Sequence, residues 1–249
     1  MEYDELLRRA EDLCTRCERT CTVTATPYLT PAEQVILQNW SRGRTDCQIL
    51  FHGGHPDCER KVAFFLPYYL DADQFQADEY FIALRAVAGF GTPSHRDYMG
   101  AILGLGIRRD FLGDIWVQEN TATIFCLPSV ADHIKLSLDK VGRYGVKITE
   151  LSLAQVEAPI RKTKQVSFTV QSLRLDAITA GLFHVSRTIA VEQIRAGLVT
   201  LNYLPCLRPD APIKEGDTLS LRGHGKGIVL EIGGQSRKGR LFIQGELYI

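Results

Sequence analysis

Cys14, Cys17 and Cys21 stand in the spacing C-x2-C-x3-C, with Cys47 and Cys58 farther on, and thiolates so placed could hold zinc or an iron–sulfur cluster. Tyr3, Leu6, Leu7, Ala10 and Leu13 lead into Cys14 and Cys17 at steps of three and four, so these thiols extend the apolar stripe of an amphipathic helix. Buried cysteine packs as a small hydrophobe, and no second C-x2-C pair completes a ligand set. No metal and no cofactor is therefore expected. His95 and Asp97 have the chemistry of a proton-transfer pair around Arg96, yet no motif fixes a nucleophile beside them. Gly104-Leu105-Gly106 lacks the third glycine of a dinucleotide fingerprint, and Gly223 to Gly227 lacks the lysine ending of a phosphate-binding loop. Ser137-x-x-Lys140 has no companion motif. No catalytic residue is assigned, and the chain is expected not to be an enzyme.

The last third carries a different constellation. Ser186 caps a short helix, which leaves first-turn amides and the positive dipole end for an anion, with Arg187 beside them. Arg174 and Arg195 lie at the ends of two short helices, where guanidinium groups can grip a phosphate backbone in bidentate fashion. Asn202 falls at a tight turn. Arg222, His224 and Lys226 occupy one glycine-rich loop, and Arg237, Lys238 and Arg240 another. No aromatic residue interleaves with these cations, which favours gripping the backbone and shape of a folded RNA over stacking on single-stranded bases. His95, Arg96, Arg108 and Arg109 form a second candidate contact with RNA or the ribosome.

The elements that must position these groups follow from pattern and punctuation. The chain has 249 residues, 45% apolar and 23% charged, enough to bury roughly 70 to 75% of its unfolded surface. No apolar run reaches the roughly 18 residues of a membrane span, and the acidic Met1-Glu2-Tyr3-Asp4-Glu5 start has no apolar signal core. A cytoplasmic, monomeric protein with reduced thiols is expected. The net charge of zero hides a division: residues 1–158 carry 16 basic and 22 acidic side chains, and residues 159–249 carry 13 and 7. The basic part suits an anionic partner such as RNA.

The expected fold class is α+β in three modules. Residues 1–75 read as a helical module with a β-hairpin, its strands at Cys47 to Phe51 and Lys61 to Leu66. Residues 76–157 read as strand, helix, strand, strand, helix, strand, an RRM-like βαββαβ domain with both helices on one face of the sheet and the other face free for a partner. Its helix at His95 to Leu103 is capped by Ser94, with Asp97 three residues later. Residues 155–166 contain a proline and a basic cluster, and a boundary falls there. Residues 158–249 begin with helices at Leu173 to Leu182 and Arg187 to Ala196 and continue as short strands turned by glycines.

Arg174-Leu175-Asp176-Ala177, Ser186-Arg187, Ile194 to Asn202 and Glu215 to Gly223 resemble, in order, the S-four RNA-binding domain. In front of it, Gly53-Gly54 with Glu59-Arg60-Lys61, the run from Ser94 to Arg109, and Gly113-Asp114-Ile115 resemble the YlmH family. That resemblance implies an N-terminal module, an RNA-recognition-like domain and an S-four domain acting on the large ribosomal subunit. Ribosomal RNA and tRNA are the implied partners, in the quality control of stalled nascent chains. A photosynthetic branch is named for photosystem II, and the cysteine-rich start resembles that branch. Where relatives carry several lysines in the final loop, this chain has Ser236-Arg237-Lys238-Gly239-Arg240. Two alternatives stand beside this reading: an RNA-modifying enzyme of the pseudouridine synthase type, and an adaptor linked to photosystem II or cell division.

Overall fold

A computed structural model describes residues 3–45, 48–160, 162–236 and 239–248. The chain divides into two compact units, Met1–Pro159 and Ile160–Ile249. Among the described residues, no helix is long and apolar enough to cross a membrane.

In the first unit, α1 (Asp4–Thr20) turns Ala10, Cys14 and Cys17 inward, starts on Asp4 and Glu5, and stops where Cys21 enters the left-handed region at φ 50°. β1 (Thr24–Leu29) follows, then α2 (Pro31–Ser41), whose start is fixed by a reciprocal Thr30–Glu33 capping box with proline in its first turn. β2 (Gln48–His52) and β3 (Lys61–Leu66) complete an antiparallel sheet in the order β1-β3-β2. The expected hairpin is thus the larger part of a three-stranded sheet. β1 is hard to see in the sequence because Pro27 has no N–H to offer, and the register of β1 against β3 slips between Ala25 and Tyr28. Alternate residues of β3 point to two cores. Ala63 and Phe65 face Ala10, Cys14, Cys17 and Leu37, whereas Val62, Phe64 and Leu66 face the other way.

The following segment runs β4 (Ile82–Ala88), α3 (His95–Gly104), β5 (Leu112–Gln118), β6 (Thr121–Cys126), α4 (Pro128–Ser137), β7 (Lys140–Val141) and β8 (Tyr144–Leu151). The sheet order is β5-β6-β4-β8-β7, antiparallel throughout. Tyr98 and Ile102 of α3 and Ala131 and Ile134 of α4 pack on Leu84, Ala86, Ile115, Ala122 and Ile124. The opposite face is not wholly free, which corrects the expectation. Ala83 and Phe125, with Trp116 and Leu151, share one core with Tyr28, Val62, Phe64 and Leu66. Arg85 and Val87, farther along β4, keep the rest of that face exposed.

Polar contacts lock the same junction. Asp114 accepts from the backbone N–H groups of Glu59 and Arg60 at 2.7 and 3.0 Å. The Arg60 guanidinium donates to the carbonyls of Leu112 and Tyr28, each at 3.0 Å. Gly113 lies so close to Tyr28 that a Cβ there would sit 2.7 Å from the ring, and a Cβ on Gly53 would sit 2.5 Å from the Arg60 carbonyl. The motifs around Gly53, Arg60 and Asp114 thus act together to join the two sheets.

In the second unit, β9 (Thr163–Val170), α5 (Leu175–Leu182), α6 (Arg187–Arg195), β10 (Val199–Leu201), β11 (Leu204–Pro205), β12 (Thr218–Leu221), β13 (Gly225–Gln235) and β14 (Leu241–Tyr248) appear in turn. The sheet order is β11-β10-β12-β13-β14-β9. The two helices and the inward residues of the sheet enclose Leu175, Ile178, Leu182, Ile194, Val199, Leu219, Val229 and Ile243. β9 begins inside the segment read from sequence as a boundary. Its basic start conceals the alternation of Val166, Phe168 and Val170, which pairs it to β14 along its length.

Cys14 is held in a disulfide, whereas Cys17, Cys21, Cys58, Cys126 and Cys206 are free thiols. Reduced thiols throughout were expected, and Cys14 departs from that. A cysteine count speaks to frameworks, but one bond needs only two sulfurs whose Cα atoms come within about 7 Å.

Gly113→Ala should destabilise the first unit by about 1–3 kcal/mol in urea unfolding, because the Tyr28 ring has nowhere to go. Gly100→Ala, on α3 with nothing near its would-be Cβ, should leave stability unchanged or raise it by up to about 1 kcal/mol.

Candidate nucleic-acid interface

α5 starts where residues 209–213 strap its first turn: the Leu175 N–H donates to the Ala211 carbonyl and the Asp176 N–H to the Pro209 carbonyl, both at 2.9 Å. This holds Asp176 in place with only 2% of its surface exposed. Its carboxylate accepts from Arg174 Nε and Nη2 at 3.2 Å, from Arg187 Nε and Nη2 at 3.2 and 3.1 Å, and from the Ala177 N–H at 2.8 Å. Burial works to raise the Asp176 pKa, but the hydrogen bonds and charges of the two arginines outweigh it and hold the carboxyl below its usual range. The same contacts raise Arg174. Each guanidinium keeps a substantial exposed part, 42% for the Arg174 side chain and 56% for Arg187. The result is a pair of outward-facing cations fixed by one buried anion.

Ser186 caps α6 as the sequence implies, its hydroxyl accepting from the Ile189 N–H at 3.2 Å. Arg187 therefore sits at a helix start, where amides and dipole favour negative charge. Arg187 and Arg240 line one open groove of about 630 Å³ with Phe168, Thr169, Ala177, Ala180 and Gly181. Arg240 is steadied by a 2.8 Å bond from Nη2 to the Thr169 carbonyl. Arg237 and Lys238, expected beside it, lie outside the described residues.

The remaining cations gather elsewhere. Lys226 is next to Gly225, whose would-be Cβ lies 3.6 Å from the Tyr248 carbonyl, whereas Arg240 precedes Leu241. These positions mark opposite ends of β14, about 24 Å apart by strand rise. α6 leads from one cluster towards the other: Arg187 opens it, Arg195 closes it, and the Leu198 carbonyl then accepts from the Arg222 N–H at 3.0 Å. Arg195, Arg222 and His224 are exposed. Lys226 is not without aromatics, which corrects the sequence reading. Its Nζ lies 5.4 Å from the Tyr203 ring centroid and 5.1 Å from that of Tyr248. Asn202 and Tyr203 form the β10–β11 turn, both with positive φ, 49° and 69°. The Asn202 amide donates to Asp217 at 2.8 Å and accepts from the Thr218 N–H at 3.0 Å, so its polar atoms hold the turn.

The second candidate set also separates. His95 and Arg96 are exposed at the start of α3, while Ser94 and Asp97 close the helix in a reciprocal capping box. Those bonds lower the Asp97 pKa. Arg108 pairs with Asp110. Arg109 turns inward, its Nη1 donating to the carbonyls of Leu112 and Gly113 at 2.6 and 3.1 Å. Burial and the neighbouring Arg60 charge hold its pKa down to about 10. Arg109 is thus built into the loop. The three N-terminal cysteines do not act as one set either: Cys14 is in a disulfide, Cys17 Sγ donates to the Phe65 carbonyl at 3.2 Å, and Cys21 is exposed at the helix end. Among the described residues, no three His, Cys, Asp or Glu side chains form a cation-sized cluster.

A family model described as "Putative RNA-binding domain in YlmH" matches residues 75–155, which include His95 and Arg96 and exclude the Arg174–Asp176–Arg187 cluster. Across 213 residues, 86% of this chain and 82% of the relative, the sequence is 31% identical to "Ribosome-associated protein quality control protein P2" of Bacillus subtilis (strain 168). The chain belongs to the YlmH family. A solved structure, "Cell division protein ylmH from Streptococcus pneumoniae", matches with a TM-score of 0.54 at 21% identity, covering 63% of this chain and 96% of that one. That likeness is one of fold. Asp176 is the residue whose role the sequence concealed: it stands inside a basic motif, where an acid reads as a helix-start charge.

Asp176→Ala makes the chain more positive by one charge, yet it should weaken binding to an RNA hairpin several-fold by releasing Arg174 and Arg187; titration by fluorescence anisotropy checks this. Because the native Asp176 pKa lies below its unfolded value, its contribution to stability is complete above about pH 4 and is lost as pH falls through the native value. Urea unfolding should accordingly show a steeper acid loss in the parent than in Asp176→Asn.

Proposed function

We propose that this protein binds structured RNA without covalent chemistry, and that its target is ribosomal RNA, with tRNA, on the large ribosomal subunit during quality control of stalled nascent chains. Residues 158–249 act as an S-four domain on the Asp176-locked arginine pair, residues 76–157 as an RRM-like domain, and residues 1–75 as the module packed beside it. The observation that carries this reading is the arrangement of Arg174, at the start of α5, and Arg187, at the start of α6, on the one buried carboxylate of Asp176. A guanidinium pair held in fixed geometry suits the oxygens of a phosphate backbone, because little side-chain freedom remains to be lost on binding. The family model over residues 75–155 and the name of the Bacillus subtilis relative support RNA and the ribosome as partners. The thirteen basic and seven acidic residues of 159–249 give that part the required sign.

Binding of the full chain to ribosomal RNA should weaken as salt rises, with a log–log slope of about −0.7 for each single-strand phosphate engaged and somewhat steeper on duplex. Arg187→Ala should reduce affinity by about tenfold or more, since a charge-assisted hydrogen bond contributes about 1.5–3 kcal/mol. An affinity indifferent to salt would overturn the reading. Crosslinking to RNA in cells, followed by sequencing, separates ribosomal, transfer and messenger targets.

A further inference from the structure

Phe90 is 65% exposed at the tip of a Gly89-Phe90-Gly91 loop that follows β4. One exposed phenylalanine is ordinary. Its surroundings are not, because the loop holds the ring against a second aromatic and next to cations. The centroids of Phe90 and Tyr144 lie 5.6 Å apart at an interplanar angle of 67°. Gly91, at φ 72°, carries the Tyr144 ring directly on its backbone: a Cβ there would fall 2.3 Å from the ring. Arg143 lies over the other part of the same tyrosine, its Cζ 5.2 Å from the centroid and its Nη2 3.2 Å from the hydroxyl. The β7–β8 turn that carries Arg143 abuts the first turn of α3, where a Cβ on Gly142 would lie 3.8 Å from Asp97 Oδ1, and Arg96 is exposed there. The capping box at that helix start serves the backbone N–H groups of Ser94 and Asp97, and beside it the patch presents aromatic rings and guanidinium groups.

We propose that Phe90 and Tyr144, flanked by Arg143 and Arg96, form a stacking site for unpaired bases of single-stranded RNA. Every base has a π-face that an exposed ring can take, and a neighbouring guanidinium can hold the phosphate that follows. This site is separate from the Asp176-locked pair, lies within the stretch matched by the RNA-binding family model, and rests on the RNA-binding reading above. It divides the labour: one unit grips the backbone of folded RNA, and the other takes bases that have left a helix.

The test uses the full chain, a fluorescein-labelled single-stranded oligouridylate and a perfectly paired RNA hairpin. Phe90 is exposed in a loop, so Phe90→Ala should fold as the parent does. It should bind the single strand about five- to a hundredfold more weakly, with an unchanged salt slope and unchanged hairpin affinity. Phe90→Trp should restore single-strand binding. Arg143→Gln should lower affinity for the single strand and reduce the salt slope. Unaltered single-strand affinity in Phe90→Ala, or equal loss on both probes, would overturn the stacking site. If Arg187→Ala still weakens the hairpin in that event, the wider reading survives. Failure of the parent chain to bind either probe in dilute salt would sink both.

Discussion

Like charges do not gather unless something holds them, and in the second unit that something is a single buried carboxylate. Asp176 takes five hydrogen-bond contacts, four of them from the guanidinium groups of Arg174 and Arg187. Without it, two neighbouring arginines would repel and swing apart, and the flexible side chains would lose conformational freedom on meeting a ligand. With it, most of that loss is met during folding. The strap from Pro209 to Ile213, the cap at Ser186 and the packing of α5 on β9 all bear on the position of this one group.

The first unit applies a comparable device with opposite signs. There the half-buried cations Arg60 and Arg109 donate to main-chain carbonyls, and Asp114 fixes the loop that carries Arg60. Their charges are turned towards the protein rather than away from it. Basic side chains in the two units therefore have different work: some hold sheets together, others face solvent with their donors exposed.

Helices with clean punctuation were legible in the sequence. Ser94 with Asp97 and Ser186 announce α3 and α6 to within a residue at their starts, because capping is a local event. β1 and β9 were not legible, one interrupted by Pro27 and the other begun in a basic stretch that reads as a linker. Among site residues, the exposed arginines of the second unit could be named from composition and spacing. Their division between two ends of a sheet, the inward turn of Arg109 and the ring contacts of Lys226 depend on tertiary register that no local pattern carries. The anchoring role of Asp176, named in the sequence only as part of a motif, and the exposure of Phe90 were hidden for a related reason: an acid beside arginines and an aromatic between glycines acquire meaning only from what folds against them.

The pairing of Thr163 with Tyr248 has a temporal consequence. β9 is made roughly eighty residues before the strand that completes it, so during synthesis it waits as an open edge with a sticky inner row of Val166, Phe168 and Val170. The lysines at its start, Lys162 and Lys164, are suited to keeping such an edge from recruiting a stranger in the interval. The six-stranded sheet, and with it the seat of α5, can close only when β14 arrives.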